Sequence, residues 1–600
     1  MARAPGRSTA GFAPIADYGL LGDERSAALV ALDGAIDWLC LPDFGSPPVF
    51  ARLLDPSDGG AFELRPAGPF EAERRYLEGT NVLETTFTTA DGTVRVTDAM
   101  AVPATGPVNW SEIARKVDGV AGDVELVYAV RPRFEWREPA ASIEAGRDSV
   151  VFRGDGLALV LQVWDAGEIE TAGAAARGRF RLEAGSSAVL ALTGFEEGPL
   201  AFFEREEIER RLDDTCNYWR SWLARCAYDG PWAEAVRRSA LTLAALIHSP
   251  DGGIVAAPTT SLPERIGGDR NYDYRLCWVR DSCFALEAML ELGYRNQVHS
   301  SLTWMLGAVR RTHPRVCVLY DLNGSPATLV SEPPLAGYEG SKPVRSGNAA
   351  ANQFQLGGYG DLLQTAMQFV DDGNRIDEQS GRMLGVVADH VARIWRKPDA
   401  GMWELQTFRH YAQAKVSAWM ALDRAATLAE RGAIPVPADR AAAWRAEAEA
   451  VLRFIDRRLW SADAGAYVQA PDREILDASI LAAARFGLPR RDQLAATAAA
   501  ARERLVVDGE APLMYRYEGM EDEEGAFVAC SFWLIEALAR LGDPDEAAEL
   551  MELMLPRAND LGLFSEEIDP ADGSLLGNFP QAFSHLTLVT AAAALRPAAR

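Results

Sequence analysis

The feature that most constrains this chain is a rhythm in its second half. From Pro231 onward, apolar periodicity predicts helices near residues 231–248, 281–292, 294–311, 350–371, 376–396, 410–431, 437–459, 475–486, 491–504, 526–541, 544–554 and 578–595. Connections before the odd-numbered segments are minimal: Gly293, Asp372–Arg375, Gly432–Val436, Gly487–Arg490 and Gly542-Asp543. Those before the even-numbered segments run to roughly 13 to 38 residues. Antiparallel helices with short and long connections in alternation place every long loop at one end. Twelve helices in this pattern fit six αα-hairpins closed into an (α/α)6 barrel. The even-numbered helices would be inner, with a site where their N-termini emerge, since loops on a rigid scaffold are where function concentrates.

Residues 15–200 read as β. Alternation is clear in Val82–Thr89 and Thr93–Thr97, on either side of a turn signal at Asp91-Gly92, and in Asp123–Val130, Ser149–Arg153, Leu157–Trp164 and Arg179–Leu192. Short strands punctuated by Gly and Asp predict an antiparallel sandwich. Ile36–Pro48 (IDWLCLPDFGSPP) interrupts the pattern, either as a Pro-braced surface loop packing Trp38 or as a loop reaching across to the second domain. Residues 201–228 return to a helical period with charges paired at i, i+4 and predict a linker that docks by Trp219 and Trp222. The expected organisation is α+β and multidomain: a β-sandwich over 1–200, a helical linker over 201–230 and the barrel over 231–600.

The formal net charge of −26, with no run of Lys or Arg, disfavours nucleic acid and anionic membrane as partners and suits a neutral substrate. Seven scattered Cys without a CxxC read as buried thiols in a reducing compartment; Cys216 and Cys226 could pair, but nothing requires it. Six isolated His give no ligand spacing for a metal. The first residues lack a signal-peptide core and no segment reaches 18 uninterrupted apolar residues, so the expectation is a soluble, cytoplasmic protein.

Five of the six long loops are rich in polar and aromatic residues; the one over 460–474 is ordinary. Gly267–Tyr294 (GGDRNYDYRLCWVRDSCFALEAMLELGY) is a polar, aromatic loop feeding a buried helix, suited to holding something polar with a flat apolar face. Two loops wedge a carboxylate among apolar residues. Glu404 follows Gly401-Met402-Trp403, and an acid there would have its pKa raised, as a general acid requires. Glu566 follows Leu563-Phe564-Ser565 but stands in a more polar run (SEEID), where it could stay ionised as a base. Two carboxyls with pKa values pushed apart are the constellation for glycoside hydrolysis, and a separation of roughly 6.5–9.5 Å would invert the anomeric centre.

The segments ADYGLLGD, GAIDWLCLPDFGSP, APTTSLPE, GGDRNYDYRLCWVRD, GSKPVRSGNAA, GMWELQTFRHY, ALDRA, EEGAFVACSFW, GLFSEEIDP and LGNFPQAFSHL together carry a resemblance covering nearly the whole chain. It resembles family 15 of the glycoside hydrolases, the glucoamylase and bacterial trehalase family. The resemblance implies a β-supersandwich followed by an (α/α)6 barrel. It implies Glu404 as general acid and Glu566 as general base, with the neighbouring Glu567 as rival. It implies Tyr274, Trp278, Arg280 and Asp281 as the grip on the terminal glucose, aromatics covering the C–H face and charges bonding vicinal hydroxyls. Trp403 would help line that pocket and Arg516 would add a sugar ligand. Arg345, His410, Lys415 and Gln581 fall in motif-bearing loops, where bracing hydrogen bonds are an equal alternative to ligand contact.

There are departures. Leu405 stands where fungal glucoamylases carry a second acid, and the PDFGSP and QLG segments differ from the common PRFDSP and QLD. The expectation is an inverting, exo-acting α-glucosidase that needs no metal or organic cofactor. It would release β-glucose from trehalose, maltose- or isomaltose-type oligosaccharides or dextrins. An inverting phosphorylase and a non-catalytic glycan-binding protein are the alternatives.

Overall fold

A strand of 22 residues, Trp110–Arg131, organises the N-terminal part of the chain. Its first half pairs with Gly92–Met100 and Ser187–Phe195; its second half pairs with Ala61–Pro66 and Ala175–Glu183. The change of layer falls at Gly119–Gly122, where Gly122 has a φ of 71° and a side chain at Gly119 would lie 2.1 Å from the Glu183 carbonyl. This one strand therefore belongs to two antiparallel layers, fifteen strands among the described residues. The alternation read over Asp123–Val130 is realised: Val124, Leu126, Tyr128 and Val130 are buried, and the residues between them are not. The computed structural model on which this description rests covers residues 2–102, 109–196, 198–327, 329–507, 509 and 511–596.

Ile36–Cys40 does not interrupt the sheet; it is a strand of it, wholly buried. Trp38 at its centre donates its indole N–H to the Pro258 carbonyl of the helical half (2.8 Å), and the turn that follows offers the Phe44 and Ser46 carbonyls to Arg275. Of the two possibilities for this segment, reaching across is the one observed. Helix α1 (Arg205–Leu223) then buries Trp219 and Trp222, and Trp222 stacks on Tyr294 with ring centroids 4.0 Å apart.

The helical part contains α2 (Ala233–Ala245), α3 (Val279–Glu291), α4 (Arg295–Thr312), α5 (Gly357–Asp371), α6 (Glu378–Ile394) and α7 (Ala412–Glu430). It continues with α8 (Ala438–Arg458), α9 (Arg491–Leu505), α10 (Val528–Leu541), α11 (Pro544–Met554) and α12 (Ala582–Ala594). Two predicted helices are corrected. The segment read as 475–486 is a 3-10 element, Ala478–Ala484, capped by the Asp477 side chain and too short for a longer α-helix before Gly487. The segment read as 350–371 opens with a 3-10 turn, Ala349–Asn352, and becomes α-helical only at Gly357. Between them, Gln353 and Leu356 are tied to the next long loop, through Glu404 O and the Asp399 carboxylate.

Closure is visible in the packing. α3 lies against α5, α5 against α7, α7 against the 3-10 element, that element against α10, α10 against α12, and α12 against α3. These six inner elements are buried nearly all round, whereas α4, α6, α8, α9 and α11 bury one face. α5 and α7 approach closely at Gly360, where a side-chain carbon would come within 2.4 Å of the Ser417 carbonyl.

A buried charged group links three elements of this ring to a fourth. Arg485, at the end of the 3-10 element, reaches Glu287 on α3 (3.4 Å), Glu536 on α10 (2.9 Å) and Thr590 on α12 (2.8 Å). Removing one partner of a buried ion group leaves the others uncompensated, a loss of about 3–5 kcal/mol. Arg485→Met is therefore expected to lower the unfolding free energy by about that much; a denaturation midpoint within error of the wild type would refute the cross-link.

Candidate active site

The long loops converge where the inner helices begin, around a cavity of about 280 Å³. A larger groove of about 620 Å³ lies between α9 and the α10–α11 hairpin, but its walls are mainly alanine and aliphatic residues with a few charges and no aromatic ring. The smaller cavity combines aromatic rings with convergent charges, and it is the candidate site.

One wall comes from the start of α3. Trp278 is the residue before its first turn, and Arg280 and Asp281 lie within that turn. Asp281 is buried and held by Arg280 at 2.9 Å; Arg280 also donates to the Met402 carbonyl (2.7 Å) and lies over the Phe583 ring. Tyr274 stands edge-on to Trp278 with centroids 5.3 Å apart. The loop is braced from behind. Arg275 is buried, paired with Asp273 at 2.8 Å, and fixed by the sheet-domain carbonyls named above.

Each of the two candidate proton-transfer groups is bonded by a different ring of this aromatic pair. The Trp278 indole N–H donates to Glu404 Oε1 (2.6 Å). The Tyr274 hydroxyl donates to Glu566 Oε1 (2.6 Å), and the Asn578 amide donates to Glu566 Oε2 (3.3 Å). Glu404 sits in a tight turn with a φ of 58°, a left-handed conformation that costs a non-glycine residue about 1–3 kcal/mol and is held by its surroundings. Burial raises the Glu404 pKa, against the pull of Arg280 and the Trp278 hydrogen bond.

Glu566 does not stand in a polar environment as its neighbours in sequence imply. SEEID runs into the strand Glu567–Ile568, the middle of a three-stranded sheet with Ala526–Phe527 and Leu575–Leu576, and Glu566 is 1 % exposed. Burial first, and then the Glu264 carboxylate, push its pKa up to about 8; the Tyr274 hydroxyl, Arg516 and the Asn578 amide oppose the shift. Glu566 lies behind Tyr274 and is not among the residues forming the cavity wall.

Glu567 faces away from Glu566, toward Gly525 N (2.9 Å) and Arg516 (3.8 Å). Arg516 lines the cavity, bonds Glu264 at 2.8 Å and Glu524 through two nitrogens, and lies against the Trp403 and Phe527 rings. Glu264, Glu524 and Glu567 bring carboxylate oxygens within 4.8 Å of one another, a spacing that would serve a cation. Arg516 bonds or approaches all three, and Arg270 adds a second guanidinium 2.8 Å from Glu524. Two guanidiniums thus face three carboxylates, and Glu264 Oε1 and Glu567 Oε1 have no hydrogen-bond partner among the described residues.

Trp403 lines the cavity and donates to Asp477 Oδ1 (2.9 Å), so the loop read as ordinary is followed directly by a support for the wall. Arg345 also lines it, while bracing the carbonyls of Asp269 and Asn271. Gln581 lines it too and caps α12 by accepting from Ser584 N (2.9 Å). His410 and Lys415 lie outside the cavity wall. His410 packs on Phe454, and buried Lys415 donates to the Trp395 and Lys397 carbonyls, tying the exit of α6 to α7. Glu264 was missed by sequence reading although APTTSLPE belongs to the recognised segments; a lone Glu after Pro carries no periodic or chemical signal until its neighbours are in place.

The profile of Glycosyl hydrolases family 15 matches residues 230–593, and the profile "Trehalase-like, N-terminal" matches residues 8–213. The chain is 32% identical to the trehalase of Thermoplasma volcanium, over 98% of this chain and 94% of that one. It is 36% identical to the trehalase of Mycolicibacterium smegmatis, over 97% of this chain and 91% of that one. Among solved structures, a bacterial glucoamylase complexed with acarbose shares the fold with a TM-score of 0.74, at 14% identity over 99% of this chain and 97% of that one.

A carboxyl whose folded pKa lies above its unfolded value supports folding below the unfolded pKa and loses that support as pH rises through the folded pKa. For Glu566 the window runs from 4.5 to about 8. Relative to Glu566→Gln, the wild type should therefore lose thermal stability as pH increases across this window; a difference in melting temperature independent of pH would contradict the raised pKa.

Proposed function

The chain belongs to glycosyl hydrolase family 15, and we propose that it is an inverting, exo-acting α-glucosidase with trehalose as its principal substrate. The observation that carries the reading is the pair Glu404–Trp278 and Tyr274–Glu566, two carboxyls each bonded by a different ring of one aromatic pair. The relatives that bear the name trehalase, aligned over nearly their whole length, support the choice of substrate; maltose- and isomaltose-type oligosaccharides are the further candidates.

In this reading a terminal glucose lies with its C–H face toward Trp278 and Tyr274, and its hydroxyls toward Arg280 and Asp281. Glu404, whose pKa is raised by desolvation, gives its proton to the glycosidic oxygen as that bond breaks. Glu566, which meets the cavity through the Tyr274 hydroxyl, takes a proton from the water that attacks C1 from the opposite face. The working state has Glu404 protonated and Glu566 ionised. Burial favours the proton on both, and the Tyr274 hydroxyl, the Asn578 amide and Arg516 are the groups that hold the ionised form of Glu566. Asp281 acts by positioning the sugar, and Trp403 and Arg516 complete the wall. Each of these steps uses side-chain protons and water.

Glu404→Gln and Glu566→Gln are each expected to reduce glucose release from trehalose by about 10²–10⁴-fold; survival of activity in both would withdraw the assignment. Asp281→Asn is expected to abolish turnover with a folded protein, and near-normal turnover and affinity would remove its role. Tyr274→Phe takes away a donor to ionised Glu566. The acidic limb of its kcat/KM profile should move to higher pH, and an unmoved limb would separate Tyr274 from the base.

A further inference from the structure

Glu264 stands in the cavity wall with one carboxylate oxygen that the protein leaves unused. The residue is 1 % exposed. Its Oε2 is fixed by Arg516 at 2.8 Å, with Arg270 at 3.9 Å. Its backbone is fixed on both sides, by Glu264 N to Arg270 O and by Gly525 N to Glu264 O. Its Oε1 is buried and has no hydrogen-bond partner among the described residues. A buried carboxylate oxygen left without a donor costs free energy that a bound ligand hydroxyl would recover.

The location says which hydroxyl. The Pro263 carbonyl accepts from Gly577 N (2.8 Å), and a side-chain carbon at Gly577 would come within 2.5 Å of Glu566 Oε2, so the Pro263–Glu264 segment runs alongside Glu566. Glu264 is also the foremost charged influence on Glu566, and its partner Arg516 acts on Glu404 as well as on Glu566. The Glu264–Arg516 pair thus adjoins Glu566 through Gly577, and Trp403, the residue before Glu404, through the Arg516 guanidinium. Whatever it binds sits beside the bond that breaks.

We propose that Glu264 is a further substrate-binding residue, whose Oε1 accepts the 2-hydroxyl of a glucose unit at the scissile bond while Arg516 holds the carboxylate in place. This rests on the α-glucosidase reading above. A hydrogen bond to the 2-hydroxyl strengthens as positive charge develops at C1, so it acts on turnover as well as on affinity. It also gives the site a chemical criterion: sugars lacking a hydroxyl next to the glycosidic bond leave the carboxylate unpaired and are rejected.

The test pairs Glu264→Gln with three symmetrical substrates: trehalose, 2,2′-dideoxytrehalose and 4,4′-dideoxytrehalose. On trehalose and on the 4,4′-dideoxy sugar, Glu264→Gln should lower kcat/KM by about 10–100-fold, the range for a hydrogen bond to a charged group. On the 2,2′-dideoxy sugar the loss should shrink to less than about 3-fold, because the bond is already missing. An equal loss on all three sugars, or no loss on trehalose, overturns the proposal and leaves Glu264 as a brace for Arg516. If Glu264→Gln does not fold, Glu264→Asp, which keeps the charge and withdraws the oxygen, is judged by the same pattern. Wild-type hydrolysis of trehalose is the control: its absence would refute the functional reading, and this proposal with it, before any variant is compared.

Discussion

Everything in the helical half follows from the closing of six inner elements into a ring. A helix with neighbours on every side must be buried on nearly every side, and α3, α5, α7, α10 and α12 are. Their outer partners need only one apolar stripe. Because direction alternates along the chain between inner and outer helices, all inner N-termini meet at one end, and every long loop is delivered there. The aromatic wall, the two candidate proton-transfer groups and Arg516 come from segments far apart in sequence, and closure alone makes them neighbours. The sheet domain contributes to this by fixing Arg275 and Trp38, so the loop before α3 is held from outside as well as from within.

The site concentrates carboxyls where water is scarce. Glu264, Glu404, Glu566 and Asp281 all have raised pKa values, burial being the first cause in each case. Four acids in so small a volume cannot all ionise, and the arrangement of donors decides which ones do. Arg280 serves Asp281, the Trp278 indole serves Glu404, the Tyr274 hydroxyl serves Glu566, and Arg516 serves the cluster of Glu264, Glu524 and Glu567. Differences in proton affinity between neighbouring groups of the same kind are what acid–base chemistry requires, and here they come from these partners.

The fold was legible in the sequence because its signals are periodic. Helix period, strand alternation over Asp123–Val130 and the short–long rhythm of connections survive into the structure with shifts of a few residues. The 3-10 element Ala478–Ala484 was not distinguishable from an α-helix, since a short, mostly apolar run after a capping Asp suits both. The candidate site was legible where residue type limits the use: Trp278, Arg280, Asp281, Trp403 and Glu404 all line the cavity. It was illegible where tertiary burial overrides local polarity. Glu566 reads as solvated among Ser, Glu and Asp, yet it is enclosed. For Lys415 the sequence leaves ligand contact and bracing equally open, and it satisfies two helix-end carbonyls. Glu264 could not be found without knowing that Arg516 and Glu566 lie beside it.

The central claim is that Glu404 and Glu566 act on opposite faces of one glucose. Proton NMR of trehalose hydrolysis, read before mutarotation, tests it most directly. Inversion at the attacked carbon gives one β-glucose, and the departing unit keeps its α configuration, so the account predicts α- and β-glucose in equal amounts from the first spectra. Release of α-glucose alone would mean retention at the attacked carbon and would contradict it.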